Sequence, residues 1–218
     1  MDKKYKLIVF DWDGTLNDSV AHISSSIQKA FASVGLEPPD SRKAKYVIGL
    51  GLKDAMQHLQ PGIGKPLISK IAENYRHHFL AKKNKIELFS GVKTGLLSLK
   101  KRGFFIAIGT GKTQAGLSNE LLDYKIEDLF HATRCADQEK PKPDPAMILW
   151  MLKHFNLSSE DVLMVGDTTH DLCMANNAEV HALAVSYGAH SKSELIEFGP
   201  KAIVDKPKDV FDWILQNK

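Results

Sequence analysis

Four short segments of the chain are apolar throughout: KLIVF (6–10), FFIAIG (104–109), VLMVG (162–166) and ALAVS (182–186). A strand covered on both faces shows such a run, whereas a half-buried strand alternates. Between the later runs the spacing turns helical, as in DPAMILWMLKHFN, with Pro145 near its first turn. Strands alternating with helices predict a parallel, doubly wound sheet. From about residue 17 to 88 the rhythm breaks. Val20, Ile23, Ile27, Phe31 and Val34 recur at helical spacing, with Gly35 as a stop. Leu67, Ile71, Tyr75 and Phe79 form a second stripe within PLISKIAENYRHHFLAKK. This segment predicts a helical insertion after the first strand, closing near ELFSGV (87–92).

The expected architecture is therefore α/β: a doubly wound, Rossmann-like core over 1–16 and 89–218, and an inserted helical domain over 17–88. A length of 218 residues, 43% hydrophobic and 25% charged, suits a globular chain that buries a large core without staples. The net charge is only +3 and no long Lys/Arg block occurs, so a nucleic-acid partner is not expected. Cys135 and Cys173 lie far apart without CxxC spacing, which argues against a zinc site or a disulfide framework. The apolar start is too short for a signal peptide and is interrupted by Asp11; no apolar run reaches 18 residues. No membrane association is expected, and a reducing, cytoplasmic location is the default.

Chemistry enters at the ends of the strands. Asp11 and Asp13 are two residues apart after the first run, so in an extended segment they share a face. Alone, DWDG favours a solvated turn at Gly14. A calcium loop is excluded because Leu16 stands where that loop needs glycine and His22 where it needs glutamate. A second acidic pair, Asp167 and Asp171, follows VLMVG. In a parallel sheet these strand ends open onto one edge, and carboxylates gathered there demand a cation; an all-oxygen set suits Mg²⁺. The alternative for Asp171 is a helix cap. AIGTGKT lacks the first glycine of a P-loop, because Ile106 holds that position. What remains is Thr110 with Gly111 and Lys112, a hydroxyl and backbone N–H groups able to hold an anion or simply to turn. EKPKPDP sets Lys140 and Lys142 in a stiff loop, as counter-charges to the acids or as a solvated linker. His77, His78 and His170 lack ligand spacing and read as surface or structural residues.

Taken in order, DWDGT, IGTGK, KPKPDP and GDTTHD resemble the four motifs of the haloacid dehalogenase superfamily. The inserted segment resembles the helical cap of its phosphoglycolate-phosphatase-like members. The resemblance implies a Mg²⁺-dependent phosphatase acting on a small phosphorylated metabolite, a phosphoglycolate-like phosphomonoester. It makes Asp11 the nucleophile that becomes phosphorylated and Asp13 the general acid and base. It assigns the metal to Asp11, the Asp13 backbone carbonyl and Asp167, with Asp171 supporting or ligating. Thr110 matches the phosphate-binding hydroxyl, and Gly14 and Gly111 belong to the same phosphate cradle. Lys140 matches the motif lysine in a gapless Lys-Pro-x-Pro alignment, with Lys142 as the alternative two residues on. A phosphosugar mutase on the same scaffold and a non-enzymatic phospho-acceptor module are the competing readings. In the insertion, VIGLGLKDAM (47–56) is the expected specificity loop. There Lys53 is either a cation for a substrate carboxylate or phosphate, or a solvated helix-start residue.

Overall fold

The computed structural model describes residues 4–81 and 86–217. The end of the second helical stripe, at positions 82–83, lies outside the described residues. The four apolar runs become strands β1 (Leu7–Phe10), β2 (Phe105–Thr110), β4 (Val162–Gly166) and β5 (His181–Val185). Two more, β3 (Ala132–Cys135) and β6 (Ala202–Val204), close the edges of a six-stranded parallel sheet of order β3-β2-β1-β4-β5-β6.

The sheet is buried on both faces, and the side chains of each strand divide alternately between two cores. Ile8, Phe10, Ile106, Ile108, Leu163 and Val165 point into one, packed with α5 (Val92–Lys101), α6 (Gln114–Tyr124) and α10 (Pro207–Gln216). Leu7, Val9, Ala107, Val162 and Met164 point into the other, against α7 (Ala146–Phe155) and α8 (Thr169–Asn177). A short helix, α9 (Lys192–Ile196), covers the same side near β6. Each large aliphatic side chain fully buried in this way contributes about 1.5–3 kcal/mol, which is why an unbroken apolar run can form a central strand.

Between β1 and α5 lie four helices: α1 (Val20–Ala32), α2 (Ser41–Tyr46), α3 (Leu52–Leu59) and α4 (Lys65–Leu80). Helix α1 ends before Gly35, whose φ of +76° turns the chain away. The helices carry a core of their own, in which Ile23, Ile27 and Phe31 of α1 meet Ile68, Ile71 and Phe79 of α4. The two connections to the sheet run side by side: Asp18 N–H donates to the Glu87 carbonyl at 2.9 Å, and Phe89 N–H to the Leu16 carbonyl at 3.0 Å. Among the described residues, no helix is long and apolar enough to cross a membrane.

Candidate active site

Strand order reverses between β1 and β4, so their C-terminal ends frame the crevice where open α/β sheets bind ligands. Asp11 N–H donates to the Val165 carbonyl at 2.8 Å, which continues the ladder and fixes Asp11 one residue past β1. Asp167 follows β4, and its Oδ1 and Oδ2 accept hydrogen bonds from Thr15 Oγ1 at 2.8 Å and Ala189 N–H at 2.7 Å. Asp171 caps α8: its Oδ2 accepts from Thr168 N–H and Oγ1 at 3.0 and 2.7 Å. The cap reading and the cluster reading of Asp171 thus both hold, because Oδ1 remains for the site. One carboxylate oxygen each from Asp11, Asp167 and Asp171 lies within 4.8 Å of the others, and all three residues are buried.

The Asp13 carboxylate does not join them, contrary to the expectation that four carboxylates converge. Ser19 Oγ donates to its Oδ1 at 2.7 Å, and Lys112 Nζ donates to Oδ1 and Oδ2 at 3.1 Å each. Those contacts hold it on the cavity wall beside Asp11. Lys112 also meets Glu120 at 3.2 Å, and Glu120 accepts a 2.6 Å hydrogen bond from Trp12 Nε1. Burial opposes the charge on Lys112, but Asp13 and Glu120 outweigh it and hold its pKa above the ordinary lysine value. Sequence reasoning missed Glu120 and the role of Lys112. The available signal was a lysine at a strand end with an acid on the following helix.

The motif lysine also moves. Lys140 is exposed over 78% of its side chain and, among the described residues, pairs with Asp144 at 3.6 Å. Lys142 is fully buried, with Nζ 2.6 Å from Asp11 Oδ1 and 2.5 Å from Asp171 Oδ1. The Lys-Pro-x-Pro pattern reads equally from Lys142, since Lys142-Pro143-Asp144-Pro145 satisfies it. Only the depth that the loop reaches distinguishes the two lysines. Burial disfavours the Lys142 ammonium, yet the two carboxylates more than offset this and raise its pKa.

Thr110 ends β2 and is buried, with its Oγ1 accepting from Lys112 N–H at 3.2 Å. Gly14 has a φ of +83°, and a Cβ there would lie 2.3 Å from Asp167 Oδ2, so no larger residue fits against the cluster. Gly111 packs against the backbone of Gly49 and Leu50. Lys53 is exposed on the first turn of α3 and lines the cavity above the acids. His170 is a buried structural residue whose Nε2 donates to the Tyr46 carbonyl at 2.8 Å.

The family model for haloacid dehalogenase-like hydrolases matches residues 8–185. The chain belongs to this family. Among its relatives, the probable phosphatase IndB of Dickeya dadantii (strain 3937) is 32% identical over 210 residues, covering 94% of this chain and 91% of that protein. The phosphoglycolate phosphatase of Vibrio cholerae serotype O1 (strain ATCC 39315 / El Tor Inaba N16961) is 28% identical over 222 residues, covering 98% of each. A crystal structure of a predicted phosphatase from Clostridium acetobutylicum superposes with a TM-score of 0.86 at 25% identity, covering 97% of this chain and 99% of that one.

Membership makes the chain a hydrolase, which sets aside the non-enzymatic phospho-acceptor reading. Mg²⁺ is the metal expected for such a site, and the residues present fit it. Three buried carboxylates face one buried ammonium, and Asp11 Oδ2 is buried with no hydrogen-bond partner among the described residues. Burial, first, and the neighbouring charges of Asp171 and Asp167 push the Asp11 pKa well above the usual carboxylate range, despite Lys142. Burial and Asp171 likewise push Asp167 up to about 7. Both shifts express carboxylates short of positive charge, the deficit that a hard divalent cation with oxygen ligands removes.

Proposed function

We propose that this chain is a Mg²⁺-dependent phosphatase that hydrolyses a phosphomonoester of a metabolite through a phosphorylated Asp11. The observation that carries the reading is the division of labour on Asp11. Lys142 occupies Oδ1, while Oδ2 has no hydrogen-bond partner among the described residues, on a carboxylate that lines the cavity. The names of the relatives, phosphatase and phosphoglycolate phosphatase, support the reaction class.

Asp11 Oδ2 attacks phosphorus as the bond to the alcohol oxygen breaks, and protonated Asp13 gives its proton to that oxygen. Asp13 then takes a proton from water. The water oxygen attacks phosphorus, and the bond to Asp11 breaks to release phosphate. Ser19 and Lys112 hold the Asp13 carboxylate in place for both steps. Thr110 and the backbone beside Gly111 receive the phosphoryl oxygens, and Lys142 holds the nucleophile. Mg²⁺, held by Asp11, Asp167, Asp171 and the Asp13 carbonyl, would supply the positive charge that lets a phosphate dianion approach carboxylates. The helical unit, 17–88, serves as a cap over the core, 1–16 and 89–218, with the paired connections as its hinge, and Lys53 on the cap can meet a substrate anion.

Phosphate release from p-nitrophenyl phosphate in Mg²⁺ should disappear with EDTA and return with added metal. Asp11→Asn, close in volume to the native residue, should lose at least about a thousandfold in kcat. It should also abolish radiolabel incorporation from a phosphate-labelled substrate. Retention of more than about a tenth of wild-type turnover in Asp11→Asn would refute covalent catalysis.

A further inference from the structure

The four-helix cap is seated on the core. The Tyr46 carbonyl accepts from His170 Nε2 at 2.8 Å and from His190 Nε2 at 3.0 Å. The Tyr46 ring stacks on His190, centroids 5.0 Å apart and 8° from parallel. Thr169 N–H donates to His190 Nδ1 at 3.0 Å, which fixes His190 as the Nε2–H tautomer that the Tyr46 carbonyl requires. Nearer the nucleophile, a Cβ on Gly111 would fall 2.5 and 2.6 Å from the carbonyl oxygens of Leu50 and Gly49. Lys112 Nζ lies 4.7 Å from the centre of the Phe79 ring. Cap and core therefore touch on both sides of the site.

A cavity of about 690 Å³ nevertheless remains between them. That lies within the range of about 300–1,000 Å³ that pockets for drug-sized ligands occupy, well above what a phosphorylated two-carbon acid fills. The contacts at Tyr46 and at Gly49–Leu50 already join cap and core while this space remains. Its floor holds Asp11, Asp13 and Thr110, where a phosphoryl group sits. Its cap wall is built from Ile23, Ile27, Met56 and Phe79, with Tyr75 stacked on Phe79 at 5.8 Å and 28°. Ile23, Ile27, Met56 and Phe79 are all buried in the helical core, so this wall of the cavity is apolar and fixed by packing. Of the cations that line it, Lys112 is committed to Asp13 and Glu120, while Lys53 and Arg76 stand on the cap helices α3 and α4.

We infer that the substrate is a phosphomonoester whose leaving group carries a bulky apolar or aromatic body, and that a two-carbon acid is a poor substrate. The inference rests on the phosphatase reading above and deepens it. The body of such a substrate lies against the α1, α3 and α4 side chains while the phosphoryl group meets Asp11. Each methylene seated in an apolar pocket is worth about tenfold or more in kcat/KM.

The test compares naphthylethyl phosphate, ethyl phosphate and phosphoglycolate, with Mg²⁺ present and phosphate release as the readout. The first two leave as primary alkoxides, so they differ in size and not in leaving-group chemistry. Naphthylethyl phosphate should exceed both others in kcat/KM by about tenfold or more. Ile23→Phe and Met56→Phe, which narrow the cavity from two helices, should shrink that gap. Equal values for the three, or phosphoglycolate the best, would overturn the inference and leave the phosphatase reading intact. Release from none of them would refute the phosphatase reading instead. The inference is then decided by the rise in melting temperature of the unaltered protein: larger with naphthylethyl than with ethyl phosphate supports it, equal rises overturn it.

Discussion

A lysine ammonium removed from water costs several kcal/mol unless charges of opposite sign surround it, and Lys142 meets that condition between Asp11 and Asp171. Lys140, two residues away, is solvated. The two are therefore separable by experiment. Lys142→Ala should lower kcat/KM by about a hundredfold or more, with kcat affected as well as KM, because the nucleophile loses its orientation and the phosphoryl group a counter-charge. Lys140→Ala should stay within about twofold in activity and about 0.5 kcal/mol in stability, as exposed substitutions do. The reverse ranking in steady-state kinetics would return the role to Lys140. Lys112 is a different case, since it touches Asp13, the proposed acid/base residue, and not Asp11, the proposed nucleophile. Lys112→Met keeps an unbranched side chain of similar length and removes the charge together with its contact over the Phe79 ring. It should lower kcat more than it changes KM, as steady-state kinetics beside the wild type would show.

At the scale of elements, strands were legible where burial was complete on both faces, as in β1 and β4. The edge strands β3 and β6 were not, because ATRC and AIV are half-exposed and carry no long apolar run. The same limit applies to α2 and α3, short helices whose apolar positions are too few to mark a stripe. The 47–56 segment, expected as one loop, divides: its first part packs against Gly111, and its second begins α3 with Lys53 in the first turn. Glycine at 111 is what allows this contact. Gly111→Ala would set a methyl group against two carbonyl oxygens that cannot yield without moving the cap loop. The expected outcome is a fall in kcat/KM of about tenfold to a hundredfold with little change in melting temperature, checked by kinetics beside thermal denaturation. Unchanged kinetics would show that the loop moves freely and does not gate the site.

For the whole molecule, the buried acids make stability depend on pH and metal together. Burial and Asp171 push Asp167 up to about 7. A carboxyl with a raised pKa holds its proton more tightly in the folded state than in the unfolded chain. The Asp167 contribution to metal-free stability should then be greatest below the unfolded value of about 4 and fall as pH rises from there to about 7. A cation that binds the ionised cluster reverses the penalty. At pH 8 and about 100 times its dissociation constant, Mg²⁺ should raise the melting temperature by roughly 5 to 10 °C, and by less at pH 5. Differential scanning fluorimetry at the two pH values, with EDTA or Mg²⁺, checks both signs. Equal shifts at the two pH values would show that the cluster does not couple proton and metal binding.

The sequence by itself determined the α/β class, the parallel sheet and the positions of the acidic pairs, because complete burial forces unbroken apolar runs and each strand end fixes where the next few residues stand. It also determined that a helical segment interrupts the core, because a period of 3.6 shows in Val20–Phe31 and Leu67–Phe79 without any partner. Which lysine reaches Asp11 was decided only by tertiary structure, because the repeat in KPKPDP satisfies the same pattern in two registers and depth is not encoded in spacing. The same holds for Asp13, which is two residues from Asp11 in sequence but turned aside by Ser19 and Lys112, both brought in by the fold. The room left over the nucleophile is likewise a property of how the cap and core surfaces meet, residues 23 to 79 against 110 to 120, and no local pattern along the chain records it.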